Sequence, residues 1–314
     1  MKLVRFIDTA GAAEIDAKPG LIKGDSVVDI SSVTAGLPAA TPQMLMESII
    51  DKFSEIKPEL EKLLESGTAV PIASVKIRPP LPRPSKILCC IGNYWEHMQR
   101  EAGPLNMFLK SPDAVIGDGD TVVLPNNTSP YMFQHEAELA IVFKGPAKDV
   151  SQADHKSAIF GYTCMIDVSA RAEGRRTWRQ GSWMGKSFDT FAPIGPCIVT
   201  ADEIADPNNL WVKFWNNGDL RHDYVTDDME HRVPELIEFS TNIMTMNSGD
   251  LLSCGTNHEG LGPLQNGETG EIEIQGIGRL TINVSDPLKR TWDRGIFMGE
   301  GSTNPAARAQ QSRS

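Results

Sequence analysis

The chain has 314 residues, with 30 Lys and Arg against 41 Asp and Glu, and 40% of its residues are apolar. That length holds one large domain or a main domain plus a small one, and the composition excludes wholesale disorder. A net charge of −11 argues against nucleic acid as a partner, since phosphate binding runs on clustered Lys and Arg, and no apolar run reaches the ~20 residues of a membrane span.

At the N-terminus, MKLVRFIDTAGAAEID meets Asp8 before the apolar stretch of a secretory leader can form. Residues 1–35 read as short strands, LVRFI and SVVDIS, punctuated by Gly20 and Gly24. A helix follows, capped by Thr41 with Pro42 in its first turn. Leu45, Ile49, Phe53, Ile56, Leu60, Leu63 and Leu64 recur on one face, and Pro58 is expected to split the stretch into two helices. The four prolines of IRPPLPRPS (77–85) mark a boundary. The expected organisation is a small N-terminal α/β domain (1–80), a catalytic domain (85–290) and a disordered polar tail (302–314).

After residue 86 short apolar segments alternate with turn clusters: KILCCIG, VIGDGDTVVLP, ELAIVFKG, FGYTCMIDV, PCIVT, LWVKFWNNG, GDLLSCGT and GEIEIQGIGRLTINV. The fold class is therefore α+β and β-rich. Asn217-Gly218 predicts a hairpin turn, and PELIEFSTNIMTM (234–246) the one convincing helix of this half. Cys89, Cys90, Cys164, Cys197 and Cys254, an odd number with no CxxC, read as reduced core thiols of a cytoplasmic protein.

Five segments carry chemistry. Strand alternation in HEAELAIVF (135–143) puts Glu136 and Glu138 on one face, either at a solvated sheet edge or around a buried cation. FGYTCMID ends in Asp167, placed either to cap a turn or to supply a third oxygen ligand. An all-carboxylate set suits Mg²⁺, with Mn²⁺ or Ca²⁺ as alternatives, and there is no HExxH or CxxC for zinc. In IGNYWEHMQREAG (91–103), His97 and Glu101 share a helical face, either as a surface pair or as a base with its orienting carboxylate. GSWMGKSFDTFAPIGP (181–196) fails as a phosphate loop, because Gln180 stands where a Gly is needed. Lys186 there is either solvated or an anion-holding group. GDLLSCGTNHEGLGP (249–263) runs a strand into a Gly-rich turn bearing His258 and Glu259. His155, His222 and His231 lie in polar stretches and are expected at the surface.

Together GNYWEH (92–97), FLKSPDAVIGDGDTVVLP (108–125), HEAELAIVF, GYTCMIDVSAR (161–171), GKSFDTFAPIGP (185–196) and GDLLSCGT (249–256), in that order, resemble the fumarylacetoacetate hydrolase family. The likeness covers roughly residues 85–287. It implies a mixed sheet rolled around a divalent-metal site, with Glu136, Glu138 and Asp167 as ligands of Mg²⁺ or Mn²⁺. It also implies that Lys186 and Thr256 contact the substrate's acid or oxo groups and that His97 is the lid base. Tyr94 and Lys110, within the matching segments, and His258, in the turn that follows the last of them, are further substrate-contact candidates. The lid Glu stands four residues after His97, at Glu101, where many relatives have three. Asn257-His258-Glu259 replaces the Pro that commonly follows Gly-Thr, and because the eukaryotic hydrolase of the family takes the carboxylate partner of its His from that later loop, the resemblance makes Glu259 a rival to Glu101 for orienting His97. The implied enzyme, commonly a homodimer, hydrolyses a C–C bond in a small β-diketo or 2-oxo acid. The alternatives are a metal-dependent decarboxylase or tautomerase of a 2-oxo diacid, or a non-catalytic metabolite binder.

Overall fold

A computed structural model describes residues 1–8, 13–96, 101, 103–172, 178–179 and 183–293. The N-terminal quarter forms β1 (Lys2–Ile7), β2 (Lys18–Lys23), β3 (Ser26–Asp29), a one-turn helix α1 (Ser31–Thr34), the long α2 (Pro42–Ser66), β4 (Ala69–Pro71) and β5 (Lys76–Arg78). Next come β6 (Ile87–Cys90), β7 (Met107–Lys110), β8 (Val115–Ile116), β9 (Thr121–Val123), β10 (Met132–Gln134), β11 (Ala137–Phe143), β12 (Ile159–Ile166), β13 (Ser169–Arg171) and β14 (Ala192–Thr200). The chain continues through β15 (Trp211–Asn216), β16 (Asp219–Val225), α3 (Val233–Ile243), β17 (Leu251–Ser253), β18 (Thr269–Ile274) and β19 (Gly278–Ser285). The fold is α+β and sheet-rich.

One twelve-stranded sheet runs β4-β3-β2-β1-β14-β12-β11-β17-β6-β7, with β5 added to β1 and β8 to β14. Residues 1–80, expected as a unit of their own, extend this sheet, because β1 pairs with β2 on one side and with β14 on the other. A five-stranded sheet, β16-β15-β18-β19-β9, covers one face. The predicted hairpin turns at Asn217 and Gly218, both at positive φ as a tight two-residue turn requires.

The large sheet lies between two apolar layers, and β11 shows why. Its seven residues are all buried. Leu139, Ile141 and Phe143 join one core with Val212, Phe214, Ile272 and Leu280 of the smaller sheet. Ala140 and Val142 join the other with Ile49, Ile50 and Leu60 of α2. A strand wet on neither face reads as a continuous apolar run, and each large side chain so buried contributes about 1.5–3 kcal/mol.

Helix α2 is continuous, contrary to the break expected at Pro58. The ring removes one hydrogen bond, to the Ser54 carbonyl, but both residues are exposed, so water takes that acceptor while Leu60 stays anchored in the core. Thr41 accepts from the Met44 amide (3.1 Å) and caps the helix. All five cysteines are free and buried.

At Gly161 of β12 an added Cβ would meet the Val199 carbonyl oxygen of β14 at 2.2 Å. Gly161→Ala is therefore expected to destabilise the fold by about 2 kcal/mol, read as a lower midpoint in urea with an unchanged slope. Wild-type stability in that variant would contradict the packing described.

Candidate metal centre

Glu136 is the residue before β11, and its carbonyl accepts from the Asp167 amide (2.8 Å), which prolongs the β11–β12 ladder by one rung. The ladder thus brings Glu136 opposite Asp167 and leaves Glu138 two residues along on the same side. One carboxylate oxygen from each lies within 4.8 Å of the others, and all three side chains are buried. The solvated-edge reading of the Glu pair is excluded, because β11 is interior, between β12 and β17.

Three cations stand against these three acids. Lys186 Nζ donates to Glu136 Oε2 (2.5 Å), Asp167 Oδ2 (2.6 Å) and Ser169 Oγ (2.6 Å), so all its protons are engaged. It is buried in a short 3₁₀ turn, Met184–Lys186, and is not a solvated loop lysine. Arg171 donates to Glu136 and, through Nε, to Gln134 (3.0 Å). Lys110 donates to Asp167 Oδ1 (2.5 Å) and to the Lys186 carbonyl. Lys110 was expected at the substrate, but it ties Asp167 to the turn that carries Lys186.

Burial opposes the charge on Glu136, yet Lys186 and Arg171 outweigh it and hold the carboxyl well below its usual range. Burial also opposes the charge on Lys186, and Asp167 and Glu136 hold it above the ordinary lysine value. Glu138 differs. Burial, then Asp167 and Glu136, push it up to about 8, although Ser253 Oγ (2.5 Å) and the Gly255 amide (2.9 Å) donate to it. The protein's own cations thus leave one carboxylate short of positive charge, which a divalent ion among the three oxygens would supply. Mg²⁺, Mn²⁺ or Ca²⁺ fits this all-oxygen set, and zinc does not.

A pocket of about 270 Å³ opens onto this cluster. Glu136, Lys186 and Arg171 face it on the polar side, and Phe108 and Trp183, stacked at 5.0 Å, form an apolar wall. His258 completes the rim, paired through Nδ1 with Glu96. Tyr94, expected at the substrate, is fully buried against Tyr224 with ring centroids 5.0 Å apart. Thr256 and Glu259 are buried in the 255–259 loop, outside the pocket wall, and Glu101 is exposed. His97 lies outside the described residues.

His222, expected at the surface, is fully buried. Its neighbours Arg221 and Asp223 are polar, but the strand period turns His222 and Tyr224 inward. His222 Nε2 meets His135 Nδ1 at 3.0 Å, and burial lowers both histidines, His222 to about 3. Sequence reading also missed Arg171 and Glu96. Continuing the alternation from Asp167 through Ser169 would have reached Arg171, whereas nothing local announces a Glu96 partner 162 residues away.

Residues 86–285 match the family model described as fumarylacetoacetate (FAA) hydrolase C-terminal. The chain belongs to the fumarylacetoacetate hydrolase family. It is 33% identical to the maleylpyruvate hydrolase of Sphingobium sp. SYK-6, solved with Mn²⁺ and pyruvate, at a TM-score of 0.80 over 91% of this chain and 99% of that one. It is 29% identical to a maleylpyruvate hydrolase of Aquipseudomonas alcaligenes, over 90% of this chain and 99% of the relative. To oxaloacetate tautomerase YisK of Bacillus subtilis it is 36% identical, over 68% and 74%. These relatives are enzymes of differing reaction class. Among the described residues no helix is long and apolar enough to cross a membrane.

Two outcomes follow for the ion. Glu138 holds its proton below about pH 8 and must release it to ligate, so affinity for Mg²⁺ or Mn²⁺ should rise from pH 6 to 8 and then level. Calorimetry in two buffers of different ionisation enthalpy reads this, and equal affinity at pH 6 and 8 would contradict it. Glu136→Gln should weaken ion binding at least about tenfold. Parental affinity in that variant would remove Glu136 from the ligand set.

Proposed function

We propose that this protein is a divalent-metal-dependent hydrolase that cleaves a C–C bond in a small β-diketo or 2-oxo acid of the acylpyruvate kind. The observation that carries this reading is the triad of Glu136, Glu138 and Asp167, buried beside Lys186 at the base of a small pocket. A divalent ion there, Mg²⁺ or Mn²⁺, would act as a Lewis acid toward the vicinal oxygens of a 2-oxo carboxylate. The chain's own groups do the rest. Lys186, Lys110 and Arg171 fix the positions of Glu136 and Asp167, so the oxygens need little reorganisation. They match the three carboxylates in number without pairing with Glu138, so a bound divalent ion would leave the site net positive toward an anionic substrate. Phe108 and Trp183 exclude water from one side. His97 takes the proton from the attacking water.

The similarity to two maleylpyruvate hydrolases supports the hydrolytic reading. The second reading, a tautomerase or decarboxylase of a 2-oxo diacid, is favoured by the 36% identity to an oxaloacetate tautomerase. Turnover in H₂¹⁸O separates them. With acylpyruvates and maleylpyruvate as substrates and Mg²⁺ or Mn²⁺ present, hydrolysis places one ¹⁸O in the newly formed carboxylate, and tautomerisation places none there. His97→Ala should lose turnover by about 10²-fold or more while its ion affinity holds. Silence of the parent toward the whole panel would turn the reading to a metabolite-binding protein.

A further inference from the structure

His258 and Glu96 come from two segments that the fold holds together. Glu96 follows β6, and its backbone is left-handed at φ 52°, a conformation that a non-glycine residue holds only where its surroundings enforce it. Asp228, just after β16, maintains it. The Trp95 amide donates to the Asp228 carbonyl (3.0 Å), and the Glu96 amide donates to Asp228 Oδ2 (3.0 Å). The same Oδ2 accepts from Asn257 Nδ2 (3.0 Å), and Asn257 Oδ1 accepts from the Glu259 amide (2.8 Å). One carboxylate thus fastens the residues on both sides of His258 to the segment that bears Glu96. Asn93 adds a second fastening, donating from Nδ2 to the Cys254 carbonyl (2.9 Å) and to the His231 carbonyl (3.0 Å). Gly255, at φ 84°, lets the loop pass this close, since a Cβ there would sit 3.1 Å from the Asn93 Cβ.

Glu96 accepts from Nδ1 of His258, which fixes the tautomer. The neutral ring then carries its lone pair on Nε2, and His258 lines a pocket whose other polar side is Glu136, Lys186 and Arg171. From this geometry we infer that His258, oriented by Glu96, is the group that exchanges a proton with the carbon next to the substrate's 2-oxo group. It is distinct from the base that activates water. The inference rests on the reading that the pocket takes a 2-oxo acid. In the enolising direction Nε2 takes the proton from C3, the C–H electron pair becomes the C2–C3 double bond, and the negative charge moves to the 2-oxo oxygen. In the reverse direction the imidazolium returns the proton to C3, and the electrons of the double bond form the new C–H bond. Glu96 stays ionised and stabilises the imidazolium between the two events. Hydrolysis needs the reverse half to quench the departing carbanion, and tautomerisation runs one half or the other according to its direction, with the second proton exchanged with water at the 2-oxo oxygen, so one residue serves either reaction class.

The test isolates this half-reaction. Pyruvate and Mg²⁺ are incubated with the protein in D₂O, and loss of the methyl signal is followed by NMR. The parent should exchange the methyl protons. His258→Ala should exchange at least about 100-fold more slowly, bind Mg²⁺ within about twofold of the parent, and regain at least about tenfold on addition of imidazole. Glu96→Gln should fall by about 10–100-fold and Glu96→Asp by less. A merely structural His258 would not respond to free imidazole, and failure of rescue with Mg²⁺ affinity intact would overturn the assignment. Parental exchange by His258→Ala would also overturn it while leaving the proposed function standing. A parent that binds Mg²⁺ but exchanges no pyruvate protons would end both.

Discussion

Three carboxylates share a dry corner of a protein only when positive charge stands among them. Here Lys186, Lys110 and Arg171 supply three positive charges, Lys110 and Arg171 each at one carboxylate oxygen and Lys186 between two. The balance is uneven in space. Glu136 and Asp167 take all the direct ion pairs, while Glu138 is left with a hydroxyl and an amide. That asymmetry distinguishes the cluster from an ordinary buried salt-bridge network, in which every acid has its cation. It also explains why two neighbouring glutamates on one strand are pushed in opposite directions, Glu136 down and Glu138 up.

Backbone pairing makes this charge pattern reproducible. Glu136 and Asp167 face each other because β11 and β12 are in register up to the last rung, and Ser253 reaches Glu138 because β17 pairs on the other side of β11. A one-residue slip would turn both glutamates into the opposite core, against Val212, Phe214, Ile272 and Leu280. Burial of both faces of β11 therefore fixes the register and, through it, the site.

Much of this was legible in the chain. Alternation along HEAELAIVF put Glu136 and Glu138 together, and the apolar run into Asp167 pointed to the same end of the sheet. Alternation cannot say whether a face is wet, since that depends on strands far away in sequence, and β17 and β12 decided it. His222 misled because its flanking residues are polar, yet a period of two carries it inward. Pro58 misled because the rule that proline breaks helices assumes the orphaned carbonyl cannot find water. The Glu96–His258 pair has no local signature at all. It exists because β6 and β17 run side by side and parallel, delivering the two following loops to one place.

The pocket is divided by the kind of element its walls come from as well as by polarity. The three clustered acids project from or beside interior strands that tolerate little change. Trp183 and His258, which shape the rest of the wall, belong to connections between elements. Selection can rewrite such connections without disturbing the rungs of the ladder. A family built this way is free to acquire new substrates by editing loops alone while its metal chemistry is inherited unaltered.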